Sequence, residues 1–483
     1  MNPKNSEVPR VGFEQTTTRS SAECSPRLSY RGAKPRGQRL LLTFFSTPTD
    51  VKTTHSCARV ALIAVPEAER AIGIETYAST GAPCRALAKS SEEDFRVEEL
   101  IPKLEITSED RPDYYPLYRV EKRSIDTLHM EKSLSEALKS RLSYGGMKDK
   151  RAVAVQYATP TSTRSLRPAR VVRERFTAQL MGFIPRPLSR GMARGNRFTV
   201  VLRECCADIS ARLEETFALA RSRRLPSFFG FQRFGAREVG THFIGRALVR
   251  QDFKEAVSYM LLKPRTTDDE ATCAARSAMA DGRYDEGAKM LPVHQDIERM
   301  VARRLSSEPE DWTGALRAVP VRLRRLYVQA YQSFLFNRTL SLALTKGLDI
   351  SKYESGDNWS EASEDDLATS PVHGVKEHAP PYAIPMAQLA GFAYRNYGSR
   401  FDLCLEEVMA QERVSAKEFY VKQMQEVSGE GGFRRPHLVV RDASYTCAGV
   451  RADLSFTLAR GQYATVLLRE VIKPKDPVAD GLA

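Results

Sequence analysis

The chain contains no long run of apolar residues. Its most apolar stretches, Leu40–Phe45 and Val60–Val65, each hold only six residues, whereas a helix needs roughly 20 to cross a bilayer. The first stretch also lies too deep in the chain for a secretory signal peptide. We therefore expect neither a transmembrane helix nor a membrane partner.

Residue patterns typical of protein metal sites are missing as well. The 7 histidines are dispersed without a His-Glu-x-x-His, and the 8 cysteines show no Cys-x-x-Cys spacing of the kind found in zinc knuckles and redox pairs. We expect no metal site, and free thiols in a reducing cytoplasm. The cysteines are Cys24, Cys57, Cys84, Cys205, Cys206, Cys273, Cys404 and Cys447.

Two glycine pairs have the spacing of a phosphate-binding loop. They lie in Gly230–Gly235 and Gly240–Gly245. Neither is followed by the Lys-Ser/Thr that would reach phosphate and magnesium. The sequence therefore argues against nucleotide hydrolysis.

What the chain does have is an excess of positive charge. Its 73 Lys and Arg residues exceed its 60 Asp and Glu residues, which gives a formal net charge of +13. Such an excess favours a polyanionic partner, with nucleic acid first and an anionic membrane second. The content of 42% hydrophobic and 28% charged residues is typical of a globular protein.

The chain of 483 residues is too long for one ordinary core, so we expect two domains or one domain with a large insertion. Residues 1–65 are rich in Ser, Thr, Pro and Arg, with poor periodicity. They are a basic disordered extension or the product of a start codon assigned too early.

Beyond that extension, strand-like ends flank a helix-rich middle, which favours an α+β fold carrying an insertion. An acidic, Ser-rich stretch at Ser355–Asp366 predicts a solvated loop. Strands are expected at Asp94–Leu100, Tyr115–Glu121, Asn196–Arg203, His437–Arg441 and Asp453–Leu458. Helices are expected at Ser124–Leu142, Asp252–Leu262, Glu286–Leu305 with a break at Pro292, and Val321–Leu344.

The segment Gly145-Gly-Met-Lys-Asp-Lys-Arg-Ala152 places a carboxylate between two lysines. Taken alone, it is typical of a polar turn. The functional interpretation is that Asp149 is a nucleophile on a loop, kept ionised by nearby cations. Because an ordinary Asp has a pKa of about 3.9, Asp149 needs only protection from the upward pKa shift that burial beside a nucleobase would cause.

Gly146-Met-Lys-Asp-Lys-Arg-Ala resembles the active-site segment of the TruD family of pseudouridine synthases, which modify tRNA. Further segments resemble other blocks of this family in the same order, and together they span about Ile72 to Ile472. The long insertion is more similar to archaeal and eukaryotic members than to the bacterial form. The further segments are Lys89–Glu99, Arg194–Arg203, Pro226–Gly235, Tyr331–Asn337, Arg434–Pro436 and Leu458–Glu470.

The chain departs from the family pattern in two blocks. The C-terminal block usually has Leu-Pro-x-Gly-Ser, and here Ala459 replaces the Pro and Gln462 the Ser. Ser227-Phe228 stands where the family has Asn-Tyr. These changes put the local loop shape in doubt, and they leave Asp149 untouched.

The resemblance implies a role for each site residue. Asp149 would attack the target nucleotide, through either a covalent adduct or a glycal intermediate. Lys89 would hold and charge-balance Asp149, with Lys148 as the alternative. Because the reaction involves neither redox change nor hydrolysis, no cofactor is expected.

Substrate contacts are also implied. Phe95 and Phe198 are candidates to bracket the flipped uracil, and the alternative for each is a core position. Asn196 can donate to and accept from a uracil edge or the Asp149 loop, or it is a turn residue before a strand. Tyr463 would contact the base or the ribose. Arg233 would bind RNA phosphate or form a structural ion pair.

The implied fold is an α+β pseudouridine-synthase catalytic domain with a mixed sheet, interrupted by a helix-rich inserted TRUD domain. The expected activity is isomerisation of uridine 13 of tRNA by a cytoplasmic monomer. The alternatives are the same chemistry at another uridine, such as one in a precursor tRNA anticodon, and a non-catalytic tRNA-binding chaperone. The expected divisions are residues 1–65, 66–225, 226–432, 433–474 and a tail at 475–483.

Overall fold

A nine-stranded mixed sheet carries the first and last parts of the described chain. In this computed structural model the described residues are 64–483 except 147, 149–150, 190, 236–238, 266, 364–365, 368–370 and 375–378. The expected extension therefore lies almost wholly outside them. The strands of this sheet are β1 (Phe95–Leu100), β2 (Tyr115–Arg123), β3 (Leu142–Tyr144), β4 (Val153–Pro160), β5 (Arg170–Arg173), β6 (Phe176–Ile184), β7 (Gly195–Leu202), β11 (Val440–Ala448) and β12 (Arg451–Ala459).

The sheet joins segments that are far apart in sequence. Its order is β11-β12-β7-β1-β4-β2-β6-β5, with β3 on β4. Strands β1 and β4 are parallel, and the other pairs are antiparallel. Strand β12 lies beside β7 although the helix-rich segment 226–432 separates them in sequence. The expected α+β class and mixed sheet are confirmed.

Alternation along the strands sends one set of side chains to each face of the sheet. In β1, Phe95, Val97 and Glu99 are buried, while the residues between them are partly exposed. Val97 pairs with Phe198 and Glu99 with Asn196, so these four side chains share one face. This face holds the candidate site.

Helices dominate the segment between β7 and β11. The longest helix, α10, packs in two hydrophobic cores, with Phe336 in the core beneath the sheet and Leu335 in a helical core. The helices are α1 (Glu67–Ala71), α2 (Thr127–Leu138), α3 (Ile209–Arg221), α4 (Thr241–Val249), α5 (Phe253–Leu261), α6 (Glu270–Ala280), α7 (Tyr284–Met290), α8 (Asp296–Ser307), α9 (Trp312–Ala318), α10 (Val321–Thr345), α11 (Arg400–Gln411) and α12 (Ala464–Ile472). Strands β8 (Asn358–Ser360), β9 (Ile384–Leu389) and β10 (Gly432–Arg434) form a small second sheet.

Most predicted helices and strands are present, with small shifts at their ends. The break expected at Pro292 is confirmed, because α7 ends at Met290 and α8 begins at Asp296. The helix expected to reach Leu142 ends at Leu138 instead. Its next residue, Lys139, has a left-handed backbone with φ of 50°, which terminates a helix.

The prediction that Ser355–Asp366 is a solvated loop is wrong where the structure describes it. Strand β8 lies in this stretch and is buried. Asp357 is also buried, and its carboxylate lies 3.0 Å from the guanidinium of Arg400. The acidic composition therefore reflects an internal ion pair, which a count of charges along the sequence does not show.

The prediction that all the cysteines are free is also wrong. Cys84 and Cys206 form a disulfide although 122 positions separate them. The pairing arises because the segment before Lys89 runs beside the end of β7, where the Leu87 and Arg203 backbones pair as an isolated bridge. Within the described residues, no helix has the length and apolar character needed to cross a membrane.

The last residues of the chain pack against the segment that carries Lys89. The backbone N–H of Ala88 donates to the carbonyl oxygen of Asp480 at 3.0 Å. Leu482 is buried in the core beneath the sheet. Residues 475–483 are therefore part of the packed structure.

His437 is a buried histidine next to Pro226, at the start of the helix-rich segment. Its Nδ1 lies 3.1 Å from the carbonyl oxygen of Ile350. Burial, together with the nearby Arg435 guanidinium, lowers the pKa of His437 from 6.5 to about 4. The ring is therefore neutral in the folded protein at neutral pH.

Replacing Cys84 with Ser should remove a constraint on the unfolded chain. The entropic model gives about 5 kcal/mol for a loop of this size. Urea unfolding with and without reductant should show that reduction lowers the free energy of unfolding of the native chain but leaves the variant unchanged. Cys273→Ser, which alters an exposed free thiol, should behave like the native chain. An equal response of Cys84→Ser and the native chain to reductant would contradict the disulfide.

Acid should destabilise the fold through His437. Between pH 6.5 and about 4 the unfolded chain binds a proton at this residue and the folded chain does not. The free energy of unfolding therefore falls as the pH is lowered, by up to about 3 kcal/mol from this group. His437→Asn should reduce that slope by one proton in urea titrations, whereas substitution of the exposed His294 to Asn should leave it unchanged. A variant with the native slope would show that His437 does not carry this effect.

Candidate active site

The loop between β3 and β4 is anchored through Lys148. The backbone N–H of Lys148 donates to the hydroxyl of Thr127 at 3.0 Å. The buried Lys122 ammonium donates to the Lys148 carbonyl oxygen at 3.4 Å. Asp149 itself lies outside the described residues, so its assignment as nucleophile stays a prediction.

A buried ion pair ties this loop to β1. The ammonium of Lys148 lies 2.8 Å from Oε1 of Glu99, whose side chain is fully buried. The other carboxylate oxygen, Oε2, accepts from the backbone N–H of Tyr157 at 3.1 Å. A Cβ at Gly145 would lie 2.8 Å from Oε1 of Glu99, so a larger residue here would press on the carboxylate that pairs with Lys148.

A small pocket of about 200 Å³ opens beside this ion pair on the buried face of the sheet. The structure brings four of the predicted substrate-contacting residues together there with Lys148. The lining residues are Phe95, Val97, Lys148, Asn196, Phe198, Gln232, Gly461, Gln462, Tyr463, Ala464 and Thr465. Strands β1 and β7, the β3–β4 loop and the start of α12 thus converge on one cavity.

Asn196 supplies a polar group to the pocket. It follows Gly195 at the start of β7, where a Cβ on Gly195 would lie 2.3 Å from the Leu458 carbonyl oxygen of β12. Its side-chain Oδ1 is buried and accepts no hydrogen bond from the described residues. Because unsatisfied buried acceptors are costly, this oxygen is a candidate acceptor for a donor on a bound ligand.

The predicted aromatic residues form one wall of the pocket. The rings of Phe95 and Phe198 touch edge to face, with centroids 5.8 Å apart. Phe198 also stacks on Phe456 at 5.5 Å. Since the two rings are in contact, they leave no room between them for a base, and the geometry differs in this respect from the bracket that we expected.

Two predicted residues lie apart from the pocket lining. The ammonium of Lys89 lies 4.6 Å from the ring centroid of Phe95, a lining residue, and Lys89 itself is not part of the lining. Arg233 donates to the Ser333 hydroxyl at 3.2 Å and lies over the ring of Phe229. In the part of the chain that the structure describes, Arg233 makes no ion pair. Of the two candidate lysines, Lys148 is the one that lines the pocket.

The sequence did not identify Glu99 and Thr127 as site residues, although both contact Lys148. A signal for Glu99 was available, because strand alternation places it on the same face as Phe95 and Val97, where a charged side chain needs a buried partner. Thr127 carried no such signal, since it resembles an ordinary first residue of a helix.

Gln462, a departure from the family pattern, has a structural explanation. Its Oε1 accepts from the backbone N–H of Val439 at 2.9 Å, and its Nε2 donates to the carbonyl oxygen of His437 at 3.1 Å. The side chain therefore holds the segment before β11 against the loop before α12. A serine at this position would be too short to span both groups.

The described residues include one cluster with metal-ligating atoms close together, formed by Cys84, Cys206 and Asp208. The two sulfurs of that cluster are joined in the disulfide, so they are not thiolate ligands. It lies outside the pocket lining.

Comparison with known proteins gives a consistent result. The family model described as tRNA pseudouridine synthase D (TruD) matches residues 71–471. A protein of Pyrobaculum arsenaticum, named "probable tRNA pseudouridine synthase D", is 32% identical over 86% of this chain and 99% of its own length. A protein of Methanosarcina acetivorans with the same name is 28% identical over 85% and 97%.

A solved structure is similar over the same extent. The chain described as tRNA pseudouridine synthase D of Methanosarcina mazei has a TM-score of 0.68 and 26% identity, covering 85% of this chain and 98% of its own. Fold, pocket and relatives define a pseudouridine synthase, an isomerase that modifies tRNA. Within that class, the chain belongs to the TruD family, as its motifs predicted.

Loss of the Glu99 carboxylate should destabilise the fold. Glu99→Gln leaves the buried Lys148 ammonium without a counter-charge, and removing one partner of such a pair costs about 3 kcal/mol or more. The double variant with Lys148→Met should recover most of that loss in urea unfolding. Asp453→Asn, which breaks an exposed pair with Arg451, should change the free energy of unfolding by less than about 1 kcal/mol. Additive effects of the two pocket substitutions would show that the residues are not coupled.

Proposed function

We propose that this chain converts uridine 13 of tRNA to pseudouridine, with Asp149 as the nucleophile and no cofactor. The observation that carries the proposal is that Lys148, the residue before Asp149, lines the same pocket as Asn196, Phe198 and Tyr463. A loop with a carboxylate thus meets a cavity that offers both polar and aromatic contacts.

Uracil matches the groups of the pocket. Its N3–H can donate to the unsatisfied Oδ1 of Asn196, and the amide of the same side chain can donate to a uracil carbonyl. The Phe198 wall offers an aromatic contact. Stacking is worth about 1–3 kcal/mol per base, which offsets much of the few kcal/mol that base flipping costs.

Positive charge near the pocket would keep Asp149 ionised. The Lys148 ammonium is paired with Glu99, and the Lys89 ammonium lies 4.6 Å from the centroid of the Phe95 ring. We propose that Lys89 is the cation that faces Asp149, because its ammonium lies against Phe95, a residue of the pocket lining. Burial beside a base would otherwise favour the protonated, unreactive acid.

The reaction exchanges one bond at C1′ for another. The bond from C1′ to N1 breaks, the uracil turns, and a bond from C1′ to C5 forms. The proton on C5 is lost and N1 gains a proton, so atoms and charge balance without an oxidant, reductant or water. A covalent adduct and a glycal intermediate both begin at the same carboxylate.

The domain divisions follow the same proposal. Residues 66–225 and 433–474 would form the catalytic domain, residues 226–432 the inserted TRUD domain, and residues 475–483 a packed tail. Action as a monomer in the cytoplasm, the compartment of tRNA, also stays a prediction. The two hydrophobic cores support the division, although α10 contributes to both.

Asp149→Asn should abolish pseudouridine formation while tRNA binding remains. Amide and carboxylic acid have the same shape, so folding should be preserved and only the nucleophile lost. Purified variant and native enzyme should be compared on unmodified tRNA, with pseudouridine mapped at each uridine and tRNA affinity measured in parallel. Pseudouridine made by the variant would refute the nucleophile, and a native protein that binds without modifying would favour the chaperone. Modification of a precursor anticodon alone would refute position 13.

A further inference from the structure

A second cavity of about 590 Å³ adjoins the pocket. The two cavities share Gln462 as a lining residue. We call this second cavity the arginine cleft, because its lining contains Arg194, Arg434, Arg435 and Arg460 and, among the residues that the structure describes, no Asp or Glu. Arg435 is paired with Asp366 at 2.9 Å. Both ends of the helix-rich segment reach it, through Ser227 and Phe433.

Arg434 lines the cleft and contacts Gly461, a residue that lines the first pocket. Its guanidinium donates to the carbonyl oxygens of Ser227 at 3.0 Å and Gly461 at 2.9 Å. It also lies 4.1 Å from the ring centroid of Phe229. Its contacts in the described structure are with carbonyls and aromatic rings, and none is with a carboxylate. A desolvated cation with no anion is costly, so an arriving anion would be favoured here.

Arg460 presents a second cation to the cleft from the loop before α12. Its guanidinium donates to the carbonyl oxygen of Gly191 at 2.6 Å, and the side chain is otherwise exposed to solvent. That single contact fixes its position while leaving other N–H groups for a ligand. Arg434 and Arg460 thus flank the same cavity from β10 and from the α12 loop.

Ser227 adds an independent observation. It is fully buried and lines the cleft, and its hydroxyl makes no hydrogen bond with the described residues. An unpartnered buried hydroxyl calls for a partner that the described residues do not provide. This hydroxyl and the guanidinium groups of Arg434 and Arg460, whose hydrogen bonds in the described structure go to carbonyl oxygens, form a donor set suited to phosphate.

The departures from the family pattern meet at this same cleft. Ser227, Ala459 and Gln462 all line it, although Ser227 is far from the other two in sequence. The family pattern has larger or stiffer residues at the first two positions.

We propose that the arginine cleft binds a phosphodiester group of the substrate RNA next to the flipped uridine, and that Ser227 and Arg460 adapt this contact to the RNA of this enzyme. The inference rests on the proposed function, because the pocket must hold the target base. Arginine binds phosphate through paired N–H groups, and backbone contacts of this kind fix the register of a nucleic acid on a protein. The cleft would thus determine which nucleotide reaches the pocket.

The test uses full-length Asp149→Asn protein as the background, so that binding is measured without turnover. Affinity for an unmodified tRNA is compared between this protein and the same protein with Arg460→Gln, Ser227→Ala or Arg303→Gln. Arg303 is an exposed residue of α8, and it matches the charge change of Arg460→Gln. A second tRNA carries one methylphosphonate at a linkage flanking the target uridine, which removes one negative charge.

Arg460→Gln should weaken binding about five- to tenfold, and the slope of log affinity against log salt should become shallower by about 0.7–0.9. Ser227→Ala should weaken binding severalfold without lowering the free energy of unfolding, because no hydrogen bond of the free protein is lost. Arg303→Gln should change neither property beyond the small effect of net charge. The methylphosphonate should weaken binding of the parent protein and cause little further loss in Arg460→Gln.

At each flanking linkage, the methylphosphonate effect on affinity is compared between the parent protein and Arg460→Gln. If the methylphosphonate weakens binding by the same factor in both proteins at both linkages, the two changes act independently and the proposal is overturned. So would an effect of Arg303→Gln as large as that of Arg460→Gln, which would indicate non-specific attraction. Because the readout is binding, a failure here is distinct from a failure of the proposed activity. That activity is judged separately by pseudouridine formation in the native enzyme.

Discussion

The ion pair between Glu99 and Lys148 connects the loop between β3 and β4 to the sheet. Both charges are removed from water, so each is stable only while the other is in place. Glu99 projects from β1 beside Asn196 of β7, and Lys148 precedes Asp149 in the loop. The position of Lys148 relative to Asn196 is therefore set by the register of β1 and β7 together with the loop residue that pairs with Glu99.

Strand pairing across the helix-rich segment builds the rest of the site. Tyr463 and Gln462 reach the pocket because β12 lies beside β7, and α12 begins directly after that strand. Helix α10 contributes to the core under the sheet as well as to the helical core. The helix-rich segment is thus fixed to the sheet by shared packing, and the arginine cleft lies where its two ends enter and leave.

The sequence predicted the α+β class, the mixed sheet and most elements, because the spacing of apolar residues along the chain indicates which segments form helices and which form strands. The family motifs predicted which side chains would gather, and Phe95, Asn196, Phe198 and Tyr463 do line one pocket. Contacts between distant segments were not predictable from one sequence. The disulfide between Cys84 and Cys206, the ion pair of Asp357 and the exact packing of Phe95 on Phe198 all depend on which segments become neighbours.

The contact between Asp480 and Ala88 joins a segment that the ribosome synthesises late to one that it synthesises early. Lys89 is synthesised early, yet its backbone neighbour is held by residues near position 480, and β12 cannot join β7 before it exists. A nascent chain that lacks these segments can fold parts of the sheet but has no complete site. Synthesis from the N-terminus therefore delays completion of the pocket until β12 and the start of α12 have been made.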